Sequence, residues 1–146
     1  SDVPVFVGVG GGITGGDRAV RLAIEAENQG AFGVVVNAPI SDEVISRIKQ
    51  VVDIPVIATI VSERMDIRSR MEAGADFLNV SGAAATPQIV RSIRMQFPDV
   101  PILATGGPND ETILKTIRAG ANAITYSPPS NGELFADIMQ KYRGKL

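Results

Sequence analysis

A sixfold alternation of short apolar runs and amphipathic segments constrains the fold of this chain more than any other feature of its sequence. Each run is followed, after a short polar or glycine-rich stretch, by apolar residues at helical spacing. Buried-type strands that alternate with helices pair in parallel and are joined by right-handed crossovers. The pattern therefore predicts a single α/β domain over residues 1–146, made of six strand–helix units. The six strands are centred near Val5, Val34, Val56, Leu78, Ile102 and Ile124.

Glycines and small polar residues predict where several helices begin and end. Gly30 and Gly74 are expected to stop the first and third helices. Ser41 and Ser62 are the expected N-caps of the second and third helices. Thr86 is the expected N-cap of the fourth helix, with a proline at the first helical position. Leu134, Phe135, Ile138 and Met139 are expected to form the apolar face of the last helix.

The residue types that are absent narrow the chemistry. The sequence has no cysteine and no histidine, which excludes disulfides and thiolate metal sites and removes the commonest general base. The formal net charge is −2, and without a basic stripe we expect no nucleic-acid partner. No apolar run approaches the ~20 residues of a membrane span, and no leader-like segment precedes the first strand. We therefore expect a cytoplasmic protein that binds no membrane. No grouping of carboxylates indicates a metal site, and we expect no cofactor.

Polar residues gather at the predicted strand ends, where loops carry function in this architecture. In a barrel they would surround one mouth, and inward polar groups there favour a polar ligand. Glu63 is the one acid close behind a strand with a chance of acting as a general base; the alternative is that it complements the dipole in the first turn of its helix. The residues at the strand ends are Asn37, Thr59, Glu63, Asn79, Ser81 and Thr105.

Two glycine-rich stretches follow predicted strands. Gly106 and Gly107 come directly after Thr105, and a ligand could lie on their bare backbone N–H groups because no Cβ atoms intervene. The alternative is that both are ordinary turn residues. The stretch from Gly10 to Gly16 could form a second anion-binding nest or a mobile lid, and a flexible connector is the alternative.

Six units fit two architectures. An eight-stranded barrel usually takes about 250 residues, whereas an open doubly wound sheet tolerates five or six strands. Periodicity alone does not give the strand order. Further information comes from short phrases in the sequence, which include Gln29-Gly-Ala, Asp53-Ile-Pro-Val-Ile-Ala, Glu72-Ala-Gly-Ala-Asp76, Phe97-Pro-Asp-Val, Thr105-Gly-Gly107 and Ala119-Gly-Ala.

In these phrases the chain, from about Val5 to Ser127, resembles the last six units of the 2-keto-3-deoxy-6-phosphogluconate/4-hydroxy-2-ketoglutarate aldolase family. Many of the phrases are shared by phosphate-binding barrels in general. The resemblance implies a parallel (βα)6 segment of a TIM-type (β/α)8 barrel that lacks its first two strands. We expect the gap to be filled by a partner chain, by further residues or by rearrangement, and we expect a homo-oligomer.

The resemblance also assigns site residues. Asn79 stands where the family has its Schiff-base lysine, and an amide cannot serve as that nucleophile. Gly106 and Gly107 match the family's glycine pair, and Ser127 matches a serine after its eighth strand. Together with Thr105 and the helix start near Ser130, they form the predicted site for a phosphate or carboxylate. Asn37, Thr59 and Ser81 are the other predicted ligand contacts.

Three functions follow as hypotheses. The first is an aldolase-like carbon–carbon lyase that acts on a phosphorylated sugar or keto acid. The second is a binding protein that keeps the anion site without catalysis, as Asn79 suggests. The third is a flavin enzyme, because Thr105-Gly-Gly followed by Ala119-Gly-Ala also resembles flavin-phosphate barrels such as nitronate monooxygenases. In each case the partner is a small anionic ligand.

Overall fold

A computed structural model of the protein describes residues 3–11, 16–107, 109–126 and 131–144. Strands and helices alternate throughout, as the apolar pattern predicts. The elements are β1 (Phe6–Gly8), α1 (Gly16–Asn28), β2 (Gly33–Val36), α2 (Asp42–Val51), β3 (Val56–Ile60), α3 (Ile67–Ala73), β4 (Phe77–Val80), α4 (Thr86–Gln96), β5 (Ile102–Thr105), α5 (Asp110–Ala119), β6 (Ala123–Thr125) and α6 (Asn131–Arg143).

The six strands form one sheet in the order β1-β2-β3-β4-β5-β6, and every neighbouring pair is parallel. Crossovers between parallel strands keep one hand, so a strictly sequential order places all the helices on the same side of the sheet. A doubly wound sheet would reverse its strand order and carry helices on both sides. The structure is therefore a curled half-barrel of the TIM type, and the open doubly wound alternative is wrong.

The outer face of the sheet, under the helices, contains the hydrophobic core. Its strand residues are at most 1% exposed, and they pack against Ile45 and Ile48 of α2 and Ile89, Val90 and Ile93 of α4. Burying each such aliphatic side chain contributes roughly 1.5–3 kcal/mol, which makes this layer the main source of stability. The outer-face strand residues are Val34, Val36, Val56, Ala58, Ile60, Leu78, Val80, Ile102 and Ala104.

The inner face carries the alternate residues of each strand. Val35, Ile57 and Phe77 are register partners there and form an apolar layer. One step nearer the carboxyl ends, Thr59 pairs with Asn79. The inner face thus changes from apolar to polar along the strands, and the polar side chains lie at the end that carries the loops.

Most of the predicted helix ends are confirmed. The φ angles of Gly30 and Gly74 are 87° and 121°, which glycine adopts without strain. The hydroxyl of Ser41 accepts a hydrogen bond from Val44 N and caps α2.

Two predicted N-caps are wrong. Ser62 accepts from Arg64 N in a preceding turn, and Asp66 caps α3 because its carboxylate accepts from Ser69 N at 3.0 Å. Thr86 is the first residue of α4 and not its N-cap. Its buried hydroxyl accepts from Gly82 N at 2.9 Å and holds a short 3-10 turn over Ala83–Ala85.

The two ends of the sheet expose apolar surface. At the β1 end, Val5 is 50% exposed and Phe32 is 54% exposed. At the other end, no residue of α6 is buried, and Phe135 and Ile138 of its apolar face are 65% and 61% exposed. No helix within the described ranges combines the length and hydropathy that crossing a bilayer demands.

Candidate functional site

Three polar side chains on adjacent strands form a row across the inner face of the sheet, and we call Asn37, Thr59 and Asn79 the polar row. Thr59 and Asn79 are register partners on β3 and β4, and Asn37 directly follows β2. Strand alternation sends these side chains to the side opposite the helix-covered core. The local sequence places them there because apolar residues occupy the alternate positions that face the helices.

Hydrogen bonds join the polar row from one end to the other. Nδ2 of Asn79 donates to Oγ1 of Thr59 at 3.3 Å, and this hydroxyl donates to Oδ1 of Asn37 at 3.4 Å. The described part of the chain offers no partner to Oδ1 of Asn79 or to Nδ2 of Asn37. The row therefore presents one acceptor at the β4 end and one donor at the β2 end, while the central residue, Thr59, is 5% exposed.

An apolar floor lies beneath the polar row. Ile57 is fully buried, and its register partners Val35 and Phe77 are half-buried on the same face. The described inner-face positions of the strands carry no charged side chain. A group bound against the row would therefore be held by neutral hydrogen bonds and apolar contact, which suits hydroxyl, carbonyl or amide groups on a carbon framework.

The glycine pair after β5 has two different roles. The N–H of Gly106 donates to Thr125 O at 2.9 Å and so continues the sheet. A Cβ at Gly106 would lie 2.5 Å from Cγ2 of Ile124, which means that packing requires glycine there. Gly107 is exposed with φ of 83°, and in the described chain its N–H has no acceptor. Of the two amides predicted to hold an anion, only that of Gly107 can do so.

The helix that follows is a poor anion site at its start. Asn109 and Thr112 form a capping box that satisfies N–H groups of the first turn of α5. Asp110 and Glu111 already place two carboxylates there, where they stabilise the positive end of the helix dipole. An anion at Gly107 would have to approach from the side of the strand ends.

The other predicted contacts are distributed differently. Thr105 is half-buried and in register with Thr125 across β5 and β6. Ser81 is exposed, and its backbone N–H donates to Ile60 O. Ser127 and Ser130 lie outside the described residues, so their phosphate contacts stay a prediction.

Glu63 does not lie in the first turn of a helix, because α3 begins at Ile67. Its carboxylate accepts from Nε2 of Gln88 on α4 at 3.4 Å. Glu63 thereby lines a cleft of about 310 Å³ between α3 and α4, on the outside of the sheet. Arg68 crosses the same cleft with its guanidinium 5.2 Å from the ring centre of Phe97. Nothing in the described structure joins Glu63 to the polar row, and a general-base role stays untested.

Arg18, which was not predicted as a site residue, lies at the carboxyl end of β1. It lines a cavity of about 340 Å³ together with Gly8, Gly10 and Gly11 at the end of β1. Gly11 has to be glycine because a Cβ would lie 2.1 Å from the carbonyl oxygen of Asn37. This close approach places Gly11 beside Asn37 at one end of the polar row, and residues 12–15 are outside the described part.

Ion pairs fix the charge of two carboxyl groups. Arg47 donates a hydrogen bond to Asp17 at 2.6 Å and lowers the pKa of that exposed carboxyl below its usual value. Burial acts to raise the pKa of Asp42, but hydrogen bonds from Ser69 and Arg70 outweigh it and leave that pKa lowered. Both groups are therefore anions at neutral pH and are poor proton donors.

Comparison with known proteins gives the fold. No family model and no curated protein sequence matches the chain at a significant level. Among solved structures, a mandelate oxidase mutant with the monooxide FMN adduct is 19% identical with a TM-score of 0.66, over 84% of this chain and 48% of that chain. A protein from Burkholderia cenocepacia J2315 assigned as a phosphonomutase is also 19% identical with a TM-score of 0.66, over 99% of this chain and 68% of that one.

At this identity the similarity establishes the fold alone. The described strands correspond to part of a TIM barrel, and the chain spans about half of the length of the mandelate oxidase chain (48%). Neither of the two structures described above is named as an aldolase, so the resemblance to the aldolase family stays a prediction.

Proposed function

We propose that this chain forms part of the ligand site of a TIM-barrel enzyme or binding protein, and that the ligand is a small polar molecule with a phosphate or carboxylate group. One observation carries the proposal: the polar row presents an open donor and an open acceptor above an apolar floor. Exposed polar groups arranged in this way at the carboxyl ends of parallel strands are the usual place of a ligand in this architecture.

The anionic group would bind at the rim of the site. The free amide of Gly107 and the guanidinium of Arg18 are the described groups that can attract it. The names of two similar structures support the chemistry, because FMN is a phosphate ester and a phosphonomutase acts on a phosphonate. Thr105, Ser127 and Ser130 remain proposed phosphate contacts.

An imine-forming aldolase reaction is the weakest of the three hypotheses. It requires an amine at the inner face, and β4 offers the amide of Asn79 instead. The described lysines, Lys49, Lys115 and Lys141, all lie on helices. We therefore expect borohydride treatment with pyruvate to trap no adduct on this protein.

A flavin phosphate is the second candidate ligand. The apolar floor under the polar row suits a flat ring system, and one matched structure holds an FMN adduct. Absorbance of the purified protein after incubation with FMN and removal of the free flavin tests this directly.

The decisive experiment compares matched ligands by titration calorimetry. Ribose 5-phosphate is compared with ribose, and FMN is compared with riboflavin. Inorganic phosphate is titrated by itself. We expect the phosphorylated member of at least one pair to bind about tenfold more tightly, equivalent to about 1.4 kcal/mol. Equal binding within both pairs, or no binding by any ligand, contradicts the proposal.

A further inference from the structure

A single proton lies at the centre of the polar row. The hydroxyl of Thr59 accepts from Nδ2 of Asn79 at 3.3 Å and donates to Oδ1 of Asn37 at 3.4 Å. Thr59 is 5% exposed, and in the described part of the chain its hydroxyl has no further partner. Because a hydroxyl has one proton to donate, the proton that Asn37 receives is withheld from Asn79.

Each asparagine side chain can turn either its oxygen or its NH2 group toward this hydroxyl. If both turned the oxygen inward, one oxygen would face the hydroxyl without a proton between them. If both turned the NH2 group inward, the hydroxyl proton would have no acceptor. Each of these arrangements leaves one group unpaired where water has little access, and such groups are costly. The two asparagines are therefore held in opposite orientations.

Opposite orientations give the two ends of the row opposite hydrogen-bonding character. Asn79 turns its NH2 group to Thr59 and presents Oδ1 to the inner face, whereas Asn37 turns its oxygen to Thr59 and presents Nδ2. The space beside this donor is open because β1 carries glycine there: a Cβ built at Gly8 would lie 4.0 Å from Nδ2 of Asn37. Two strand spacings, about 10 Å, separate the two asparagines.

We propose that Thr59 determines the specificity of the site as a positioning residue, because its one proton couples the two asparagines across the row. The inference rests on the proposed function, in which the row holds the ligand. The row then takes a ligand that brings a donor, such as a hydroxyl or an N–H group, to β4 and an acceptor, such as a carbonyl or carboxylate oxygen, to β2. A ligand with acceptors at both places loses one hydrogen bond and binds about fivefold more weakly.

The direction of these hydrogen bonds provides an asymmetric test. Asn79→Asp replaces the donor to Thr59 by a carboxylate, which only accepts. The hydroxyl must then donate to the carboxylate, and Asn37 must turn its Nδ2 inward to find a partner. Asn37→Asp is the matched control because it adds the same charge at the other end. Thr59 already donates there, so Asn79 keeps its orientation in that variant.

The measurement is made by NMR on the ¹⁵N-labelled protein at pH 7 without ligand. In Asn79→Asp we expect exchange of one Nδ2 proton of Asn37 with water to slow about fivefold, as one net hydrogen bond would cause. Nuclear Overhauser effects between that Nδ2 group and the methyl group of Thr59 should also strengthen. In Asn37→Asp, exchange at Nδ2 of Asn79 should stay as in wild type.

Thr59→Val separates coupling through the hydroxyl from a direct effect of the new charge. Valine keeps the shape of threonine and has no proton to give. Asn79→Asp combined with Thr59→Val should therefore show no slowing at Asn37 relative to Thr59→Val alone. The single variant also tests the direction of the hydrogen bonds if Asn79→Asp does not fold: exchange at Nδ2 of Asn79 should speed up about fivefold, and exchange at Nδ2 of Asn37 should not.

Binding of ribose 5-phosphate and FMN, measured by calorimetry, tests the consequence for specificity. Thr59 is too little exposed to bind either probe directly, so an effect of Thr59→Val on the affinity of the folded protein comes through the asparagines. We expect a loss of about fivefold for whichever probe binds wild type. Unchanged affinity for that probe refutes the specificity role alone. Absence of binding by both probes refutes the proposed function and the specificity role with it.

Three NMR results contradict the coupling itself. The first is unchanged exchange at Asn37 in Asn79→Asp. The second is an equal response of Asn79 in Asn37→Asp, which would mean that the added charge acts without the hydroxyl. The third is slowing at Asn37 that persists when Thr59→Val is present. Because no ligand takes part in these measurements, failure of the coupling can be told apart from failure of the proposed function.

Discussion

The side-chain amide of Asn79 donates to the hydroxyl of Thr59, 3.3 Å away on the neighbouring strand. The bond leaves the carbonyl oxygen of Asn79 open toward the inner face of the half-barrel. Because the hydroxyl in turn donates to Asn37, all three side chains are held in fixed orientations before any ligand arrives. A preorganised set of neutral groups binds a polar ligand with little further loss of side-chain entropy.

Asn79→Ala tests the contribution of the polar row to binding. We expect the affinity for the ligand found by calorimetry to fall about fivefold, since one hydrogen bond is worth roughly 1 kcal/mol. The melting temperature should change little because the side chain is only half-buried. Gln88→Ala, which removes the hydrogen-bond donor to Glu63 of the outer cleft, is the control and should leave affinity unchanged; equal losses for both variants would argue against the row as the site.

Two substitutions of Asp76 separate the contribution of its negative charge to stability from the contribution of its hydrogen-bond acceptor. Asp76→Asn keeps an oxygen for Val56 N, as Asn122 does for Ile102 N, and loses only the half-exposed ion pair with Lys49. We expect urea denaturation to show a loss of less than about 1 kcal/mol for Asp76→Asn and about 1–3 kcal/mol for Asp76→Ala. Equal losses would mean that the ion pair, and not the backbone acceptor, accounts for the stabilisation by Asp76.

The lowered pKa of Asp42 predicts a pH dependence of stability. A carboxyl whose folded pKa lies below its ordinary value of 3.8 stabilises the fold above that pH, and the stabilisation is lost as the pH falls through the folded pKa. Asp42→Asn should therefore be less stable than wild type at pH 7, by about 1 kcal/mol or less because the pair with Arg70 is partly exposed. The difference should shrink below pH 3.8.

Denaturation curves from pH 7 to the acid range measure this effect. Glu43→Gln, in the same helical turn, controls for the loss of one acidic charge. A deficit of Asp42→Asn that stays constant down to the lowest pH would show that the charge of Asp42 does not contribute.

Gly106→Ala separates packing from ligand binding after β5. Its Cβ would meet Cγ2 of Ile124 at 2.5 Å and Cγ1 of Ile113 at 2.8 Å. We expect a loss of about 1–3 kcal/mol in the free energy of unfolding, with ligand affinity retained in the folded fraction. A variant of normal stability that has lost binding would instead restore Gly106 as an anion contact.

The sequence predicts the fold well because its signals are local and repeated. Each strand carries its own apolar run, and Gly30, Gly74 and Ser41 each mark a helix end through groups a few residues away. Ser62 and Thr86 were wrong as N-caps because nearby groups change the hydrogen bonding. Asp66 caps α3 in place of Ser62, and the hydroxyl of Thr86 accepts from Gly82 N in the turn before its helix. The barrel was preferred over the open sheet through family resemblance, and the strand order agrees with that choice.

The site is less predictable because its properties depend on distant residues. The polar row could be expected from strand ends, but the hydrogen bonds that orient Asn79 depend on register between strands. Gly106 is committed to Thr125 by the position of β6, which the sequence near residue 106 does not reveal. Arg18 lies on a helix surface like any solvated arginine, and only its position beside the end of β1 connects it with the mouth.

An NMR titration of the ¹⁵N-labelled protein with ribose 5-phosphate and FMN observes the polar row itself, because asparagine side-chain amides give their own signals. We expect at least one ligand to shift the side-chain amides of Asn37 and Asn79 together with the backbone amide of Gly107. Shifts confined to Arg68 and Phe97 in the outer cleft, or unchanged spectra with both ligands, would contradict this expectation.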